Sequence, residues 1–538
     1  VRLIPLLVAL LLTVALPANA EAAKRISADE AIAAANQDPT LREEKQAHPN
    51  LGASAEMNEG HWEVAYFEGG DELALVLVDT HSGEVLESWT GYQVAWKMAR
   101  GYFGAFGHKL NAPYVFLPLC ALFLLGLVDW RRLWRVANFD LLVLLGFGVS
   151  HYFFNRAEIG VSVPLVYPVL LYLLGRCLWI GLRGRGEGLR PIWPAMWLVV
   201  AALFLMGFRV GLNLADSGAV DVGYAGVVGA DRIAHGEAIY DNFPDDVSQG
   251  DTYGPVNYLA YLPFERIWPY SGSWDDLPAA HAASVVFDIA TFILLLLIGR
   301  RIRPGPDGQL LAATLAFGWA AYPYTAYVLE SNSNDSLMAA LLLATFLLAA
   351  KPLARGALLA AATWAKFAPA ILAPMYLTYD RKLRPALFFV VGFLVVTVAV
   401  MAWPAIDPGL KTFYDRTIAS QAGRDSPFSI WGQAPSLEPI RIAILALAGI
   451  ASIAFAFVPR QKSLVQLAAL SVALLILLQL TLHHWFYLYV VWFYPLLLIA
   501  LAASPARTSR PDPDRSPPQV PPSPRRLPRR FRSASASG

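Results

Sequence analysis

The residues able to do chemistry gather where the chain leaves an apolar run. After MGFRVGLNLA the sequence turns polar with Asp216 and Asp221, and it stays largely hydrophilic as far as His281. An aspartate at the water-facing end of a transmembrane helix, beside lipid headgroups, is well placed to act on a lipid-borne substrate. The same two aspartates also read as helix caps or loop solvation. Arg209 lies inside the preceding apolar run, where a charge is costly, and either meets a phosphate or snorkels to the interface. Lys366 sits in the middle of GALLAAATWAKFAPAILAPMYLT, where it serves a phosphate, the tip of a hairpin or a structural ion pair. His483 and His484 open an aromatic stretch with Trp485, Phe486, Tyr487 and Tyr489, which reads as an interfacial belt or as a source of donors. Asp231, His235, Asp245, Asp246 and Asp251 read as solvated loop residues, and their spacing is not that of a metal site.

The elements that must position these groups follow from composition. With 56% hydrophobic and 15% charged residues over 538 positions, the chain is too apolar for one soluble domain, and its apolar runs repeatedly reach bilayer-spanning length. Cys120 and Cys177 both fall in apolar runs, which indicates neither a disulfide framework nor a zinc site. RLIPLLVALLLTVALPANA, ending at Ala20, reads as a secretory signal, so residues 21–100 are expected outside the cytoplasm. In that stretch Ser27-Ala28-Asp29-Glu30 is a capping box. HWEVAYFEGG and DELALVLVDTHSGEVLESWTG then alternate as strands, with Gly69-Gly70 and Ser82-Gly83 as turns, and predict a small α+β domain. His61 and His81 read as exposed turn residues in it.

Arg131, Arg132 and Arg135, then Arg183, Arg185 and Arg190, then Arg300, Arg301 and Arg303, then Arg460 and Lys462 each flank an apolar run and are expected in the cytoplasm. One place resists a simple alternation: Lys351 and Arg355 precede the Lys366 stretch and Arg381, Lys382 and Arg384 follow it, so a single crossing would put one cluster on the wrong side. Two half-helices meeting near Lys366-Phe367-Ala368-Pro369 remove the conflict by returning to the side they started from. The expected fold is an all-α polytopic membrane protein of about eleven spans plus this re-entrant hairpin. The first three spans are placed at 112–190 and a basic, Pro- and Ser-rich disordered cytoplasmic tail at 504–538.

Two resemblances add to this reading. Trp62-Glu63-Val64, Val76-Leu77-Val78-Asp79 and Gly83-Glu84-Val85 resemble PepSY-type domains. Asp221-Val-Gly-Tyr224, then Gly236 and Tyr240, then Tyr253-Gly254-Pro255 are similar to the first outer loop of GT-C glycosyltransferases, particularly glycosyltransferase family 87. Further matches are Asn332 and Asn334 in a short outer turn, Lys366 with Pro369, and His483-His484-Trp485, so the resemblance runs over roughly 191–503. It implies transfer of a hexose, mannose-like, from a polyprenyl-phosphate donor to a lipid or glycan acceptor at the outer face of a bacterial plasma membrane, with no nucleic-acid partner. Asp221 is then the base that takes the proton of the attacking hydroxyl, with Asp216 as its substitute, and one base suffices for inversion. Arg209, Tyr224, Lys366, His483, His484, Asn332 and Asn334 become candidate donor-binding residues. No cofactor is called for; the outer loop lacks a compact Asp-x-Asp, which leaves a divalent metal an option rather than a requirement. The rival class is a transporter or flippase, and a third is a scaffold whose outer domain does the binding; a catalyst gathers its polar groups at an outward cavity, a transporter along a midplane path.

Overall fold

The structure, a computed structural model, describes residues 25–58, 60–95, 97–100, 107–420, 426–503 and 538. The expected signal segment and nearly all of the basic tail lie outside these residues. At the N-terminus the capping box closes as read: Ser27 Oγ accepts from the Glu30 backbone N–H and Glu30 Oε2 accepts from that of Ser27, which starts helix α1 (Ala28–Ala35). Helix α2 (Pro39–Ala47) follows, with Asp38 as its cap. Strands β1 (Gly52–Asn58), β2 (His61–Glu68), β3 (Asp71–Asp79) and β4 (Val85–Thr90) form an antiparallel meander in the order β1-β2-β3-β4. Gly69 and Gly70, both at positive φ, make the two-residue turn between β2 and β3. Val64, Tyr66, Ala74, Val76 and Val78 point to one face and bury Ala31, Ala35 and Leu41 of the two helices.

The remainder is helical: α3 (Pro113–Leu127), α4 (Val136–Leu145), α5 (Phe147–Phe154), α6 (Ile159–Arg183), α7 (Ala195–Ala215), α8 (Asp221–His235), α9 (Pro255–Glu265), α10 (Pro278–Ile302), α11 (Gly305–Ala321), α12 (Pro323–Glu330), α13 (Asp335–Leu347), α14 (Pro352–Ala365), α15 (Ala373–Leu377), α16 (Leu383–Pro404), α17 (Leu410–Tyr414), α18 (Glu438–Phe457), α19 (Leu464–Gln479) and α20 (Val490–Ala503), with shorter turns between them. Among the described residues six helices are long and apolar enough to cross a membrane, and five further apolar helices are shorter, at 10–17 residues. Length sorts with position. α16 turns Leu387, Val391, Leu394, Val395 and Val398 outward, whereas every residue of α20 is buried and most of α11 and α13 are too. A helix apolar on every side belongs in the middle of a bundle, and there the long outer helices shield its ends and breaks.

The Lys366 stretch is broken where the sequence placed the break. α14 stops at Lys366, a 3-10 turn covers Ala368–Leu372, and α15 completes the return. Helix α16 then runs beside α14 in the same direction: Gly356 lies against Phe389, and eight residues further along each helix Trp364 Nε1 donates to Thr397 Oγ1 at 2.8 Å. A Cβ on Gly356 would come within 2.0 Å of the Phe389 carbonyl oxygen, so the absence of a side chain is what lets the two helices touch. Arg355 Nη2 donates to Asp380 Oδ2 at 2.7 Å, which ties the basic cluster before the hairpin to the one after it. Arg381 Nε reaches the Arg460 carbonyl at 2.7 Å, and the Tyr379 ring lies under Arg355. Arg303 bonds the Ala503 carbonyl, Leu189 the Leu501 carbonyl, and Arg135 the Gly188 carbonyl. The basic clusters therefore share one end of the bundle, and α7, which starts just after Arg190, carries the chain to Asp216 at the other.

Candidate active site

Asp221 owes its place to the turn at 331–334. The Val220 backbone N–H donates to the Ser331 carbonyl at 3.0 Å, and Asn332, held at φ 48° by hydrogen bonds with Asn213, Ser217 and Gly218, presses its own carbonyl against Gly223. A Cβ at Gly223 would sit 2.2 Å from that oxygen, so glycine alone fits. α8 thus begins on Asp221, whose exposed carboxylate accepts the Val222 N–H at 2.8 Å. Negative charge in the first turn suits the helix dipole.

Asp221 stands at the mouth of a cleft of ≈ 390 Å³ lined also by Asp246, Ser248, Gln249, Thr252, Tyr253 and Ser420. Two anchors shape it. Tyr224, on the buried face of α8, donates its hydroxyl to Asp246 Oδ2 at 3.1 Å and meets the Tyr270 hydroxyl at 2.5 Å. Burial and these neighbours raise the Tyr224 pKa well above the ordinary phenol value, so it stays a donor. On the other wall Arg416 grips the buried Asp251 with Nε at 2.6 Å and Nη2 at 2.8 Å, which ties the segment around Arg416 to the one around Asp251 and brings Ser420 to the cleft.

Behind Tyr253 lies Lys366, at the tip of the hairpin. Its ammonium pairs with Asp335 and is ringed by Trp492 at 5.2 Å, Tyr253 at 5.4 Å and Tyr489 at 5.8 Å. Asp335 also accepts from Trp492 Nε1 and from Ser333 Oγ, so the buried carboxylate is satisfied on both oxygens. His484 Nδ1 lies 2.9 Å from Ser426 Oγ and its ring stands 6.5 Å from that of Tyr489, next to the lysine cage.

The other sequence candidates stand apart from the cleft. Arg209, read as a phosphate partner or a snorkelling charge, is 2% exposed, pairs with Asp288 Oδ1 at 2.8 Å, and bonds the carbonyls of Trp319 and Thr325. A charge this deep requires a fixed counter-charge, and α10 supplies one. Asp216 caps α7, accepts the Lys109 N–H at 3.2 Å, faces Lys109 Nζ at 3.6 Å, and does not line the cleft. Asn332 is committed to its turn, Asn334 bonds Asn257 at 2.8 Å, and His483 faces Glu438 at 3.7 Å. The sequence reading passed over Asp335, Arg416 and Trp492, named Tyr253 only as part of a loop motif, and took Asp246 for solvation. For Asp335 a signal existed, since two ionisable residues in neighbouring apolar runs, Asp335 and Lys366, point to each other.

The family model of glycosyltransferase family 87 matches residues 252–505. No curated protein and no solved structure matches the chain. The matched stretch holds Tyr253, Asp335, Lys366, Arg416 and His484, while Asp221 and Asp246 precede it. The match to glycosyltransferase family 87 over residues 252–505 supports glycosyltransferase activity for this membrane-embedded protein.

Proposed function

We propose that the protein transfers a hexose of the mannose type from a polyprenyl-phosphate donor to a lipid or glycan acceptor at the extracytoplasmic face of a bacterial plasma membrane. The observation that carries this reading is the position of Asp221: an exposed carboxylate in a cleft at the end of the bundle opposite the basic clusters. Basic loops stay in the cytoplasm. The cleft then faces outward, where nucleotide sugars are absent and a lipid-linked sugar can enter from the bilayer.

Asp221 accepts the proton of the acceptor hydroxyl as its oxygen attacks the anomeric carbon, and the bond from that carbon to the carrier phosphate oxygen breaks with inversion. The phosphate leaves with the electron pair. Lys366, one aromatic ring behind the cleft, and His484 beside its cage are the groups assigned to meet that charge. In this reading residues 112–190 form the leading spans and 191–503 the catalytic region, with 21–100 a separate outer domain. Arg209 and Asp288 close on each other inside the bundle, where a transporter would keep such groups open to its cargo, and this supports catalysis over transport.

Purified protein incubated with radiolabelled polyprenyl-phosphate hexoses and, separately, with nucleotide sugars tests the donor class. Label is expected to move to acceptor from the lipid-linked series alone. Transfer from a nucleotide sugar without lipid carrier would contradict the reading.

A further inference from the structure

We infer that Asp246 is the acceptor-binding carboxylate of the cleft, held in place by the buried Tyr224 and its half-buried partner Tyr270, and that the acceptor it selects is a neutral, polyhydroxylated one. This rests on the cleft being the transfer site.

Asp246 lies on the 3-10 turn Asp245–Val247, is exposed, and shares the cleft with Asp221. Its carboxylate is anchored from beneath. Tyr224, fully buried, donates to Oδ2, and Tyr224 is itself fixed by the Tyr270 hydroxyl and by the Trp274 ring at 4.7 Å. Trp274 in turn donates Nε1 to the Ala219 carbonyl at 2.8 Å, two residues before Asp221. One chain of contacts therefore sets both acids.

The neighbouring loop acids differ. Asp251 faces Arg416, Asp231 faces His235 and Arg232, and Asp216 faces Lys109, whereas no cation pairs with Asp246 among the described residues. A carboxylate oriented by a buried donor, with its second oxygen free to accept, is suited to a ligand hydroxyl. Ser248, Gln249 and Thr252 add neutral donors and acceptors around it, and the Tyr253 ring offers a face to pack a sugar ring. Two acids in one cleft repel an anionic acceptor, such as one carrying a phosphate or a uronic acid near the reacting hydroxyl.

Asp221 and Asp246 thus act on different steps, which kinetics can separate. With a polyprenyl-phosphate hexose as donor and an octyl glycoside as acceptor, Asp246→Asn is expected to raise the acceptor KM about tenfold while kcat and donor KM stay near normal. Tyr224→Phe should raise the same parameter by less, and Tyr224→Phe/Asp246→Asn should be no worse than Asp246→Asn alone, because the tyrosine acts through the carboxylate. Thermal unfolding of each variant reports separately on folding. An unchanged acceptor KM in Asp246→Asn, a loss confined to kcat, or additive effects in the double variant would overturn the inference. If Asp221→Asn abolishes transfer and Asp246→Asn does nothing, this inference alone falls; if both leave transfer intact, the reading of the cleft falls with it.

Discussion

Arg209 and Lys366 are both cations buried in a largely apolar bundle, and each is settled by a carboxylate that neighbouring helices bring to it. For Arg209 the partner is Asp288, with carbonyls of α11 and α12 taking its other hydrogens. Truncation would leave Asp288 buried and uncompensated, so Arg209→Ala should lower stability by about 3–5 kcal/mol, and the loss should appear as a reduced unfolding midpoint in detergent. A raised donor KM with a normal midpoint would instead return Arg209 to the phosphate. Sequence identified which cations matter but not what each one meets, because a counter-charge 79 residues away, as for Arg209, or 31, as for Lys366, is fixed by packing. Asp221 was legible because it follows an apolar run and precedes Tyr224 at a spacing that kept both on α8. Asp246 was not, since nothing in DNFPDDVSQG distinguishes an anchored acid from a solvated one. The buried tyrosine that anchors it lies 22 residues away.

Among the elements, the hairpin at α14–α15 shows how charge bookkeeping along a sequence can locate a break that hydropathy alone would read as one span. Two basic clusters, a proline and a lysine were enough to place the turn near Lys366, and the structure joins the clusters through Arg355 and Asp380. Cysteines introduced at Lys351 and Lys382, both exposed, should therefore label from the same side of sealed vesicles. Labelling from opposite sides would make α14 and α15 a single crossing. Strand β1 escaped the sequence reading for a plain reason. Its seven residues, GASAEMN, are almost all exposed, and their alternation rests on the small Ala53 and Ala55 with Met57 and holds no β-branched or aromatic residue, so pairing with β2 makes them a strand. The short central helices were equally hard to count: α13, at 13 residues, rises only about 20 Å and depends on neighbours for the rest of its shielding.

At the scale of the molecule, the basic end, the buried ion pairs and the cleft form one polarity along the bundle. Among the described residues, none that lines the cleft comes from the small sheet domain. A variant lacking residues 25–100 should insert and retain measurable transfer, and complete loss of turnover in a correctly inserted variant would make the domain part of the site. The central claim is that Asp221 takes the proton of the attacking hydroxyl. Single-turnover transfer by Asp221→Asn, measured beside Asp216→Asn with equal donor occupancy, tests it most directly. An amide keeps the shape but cannot accept the proton, so Asp221→Asn should fall by roughly a hundredfold or more while Asp216→Asn stays near normal. Near-normal turnover in Asp221→Asn with donor bound would contradict the account.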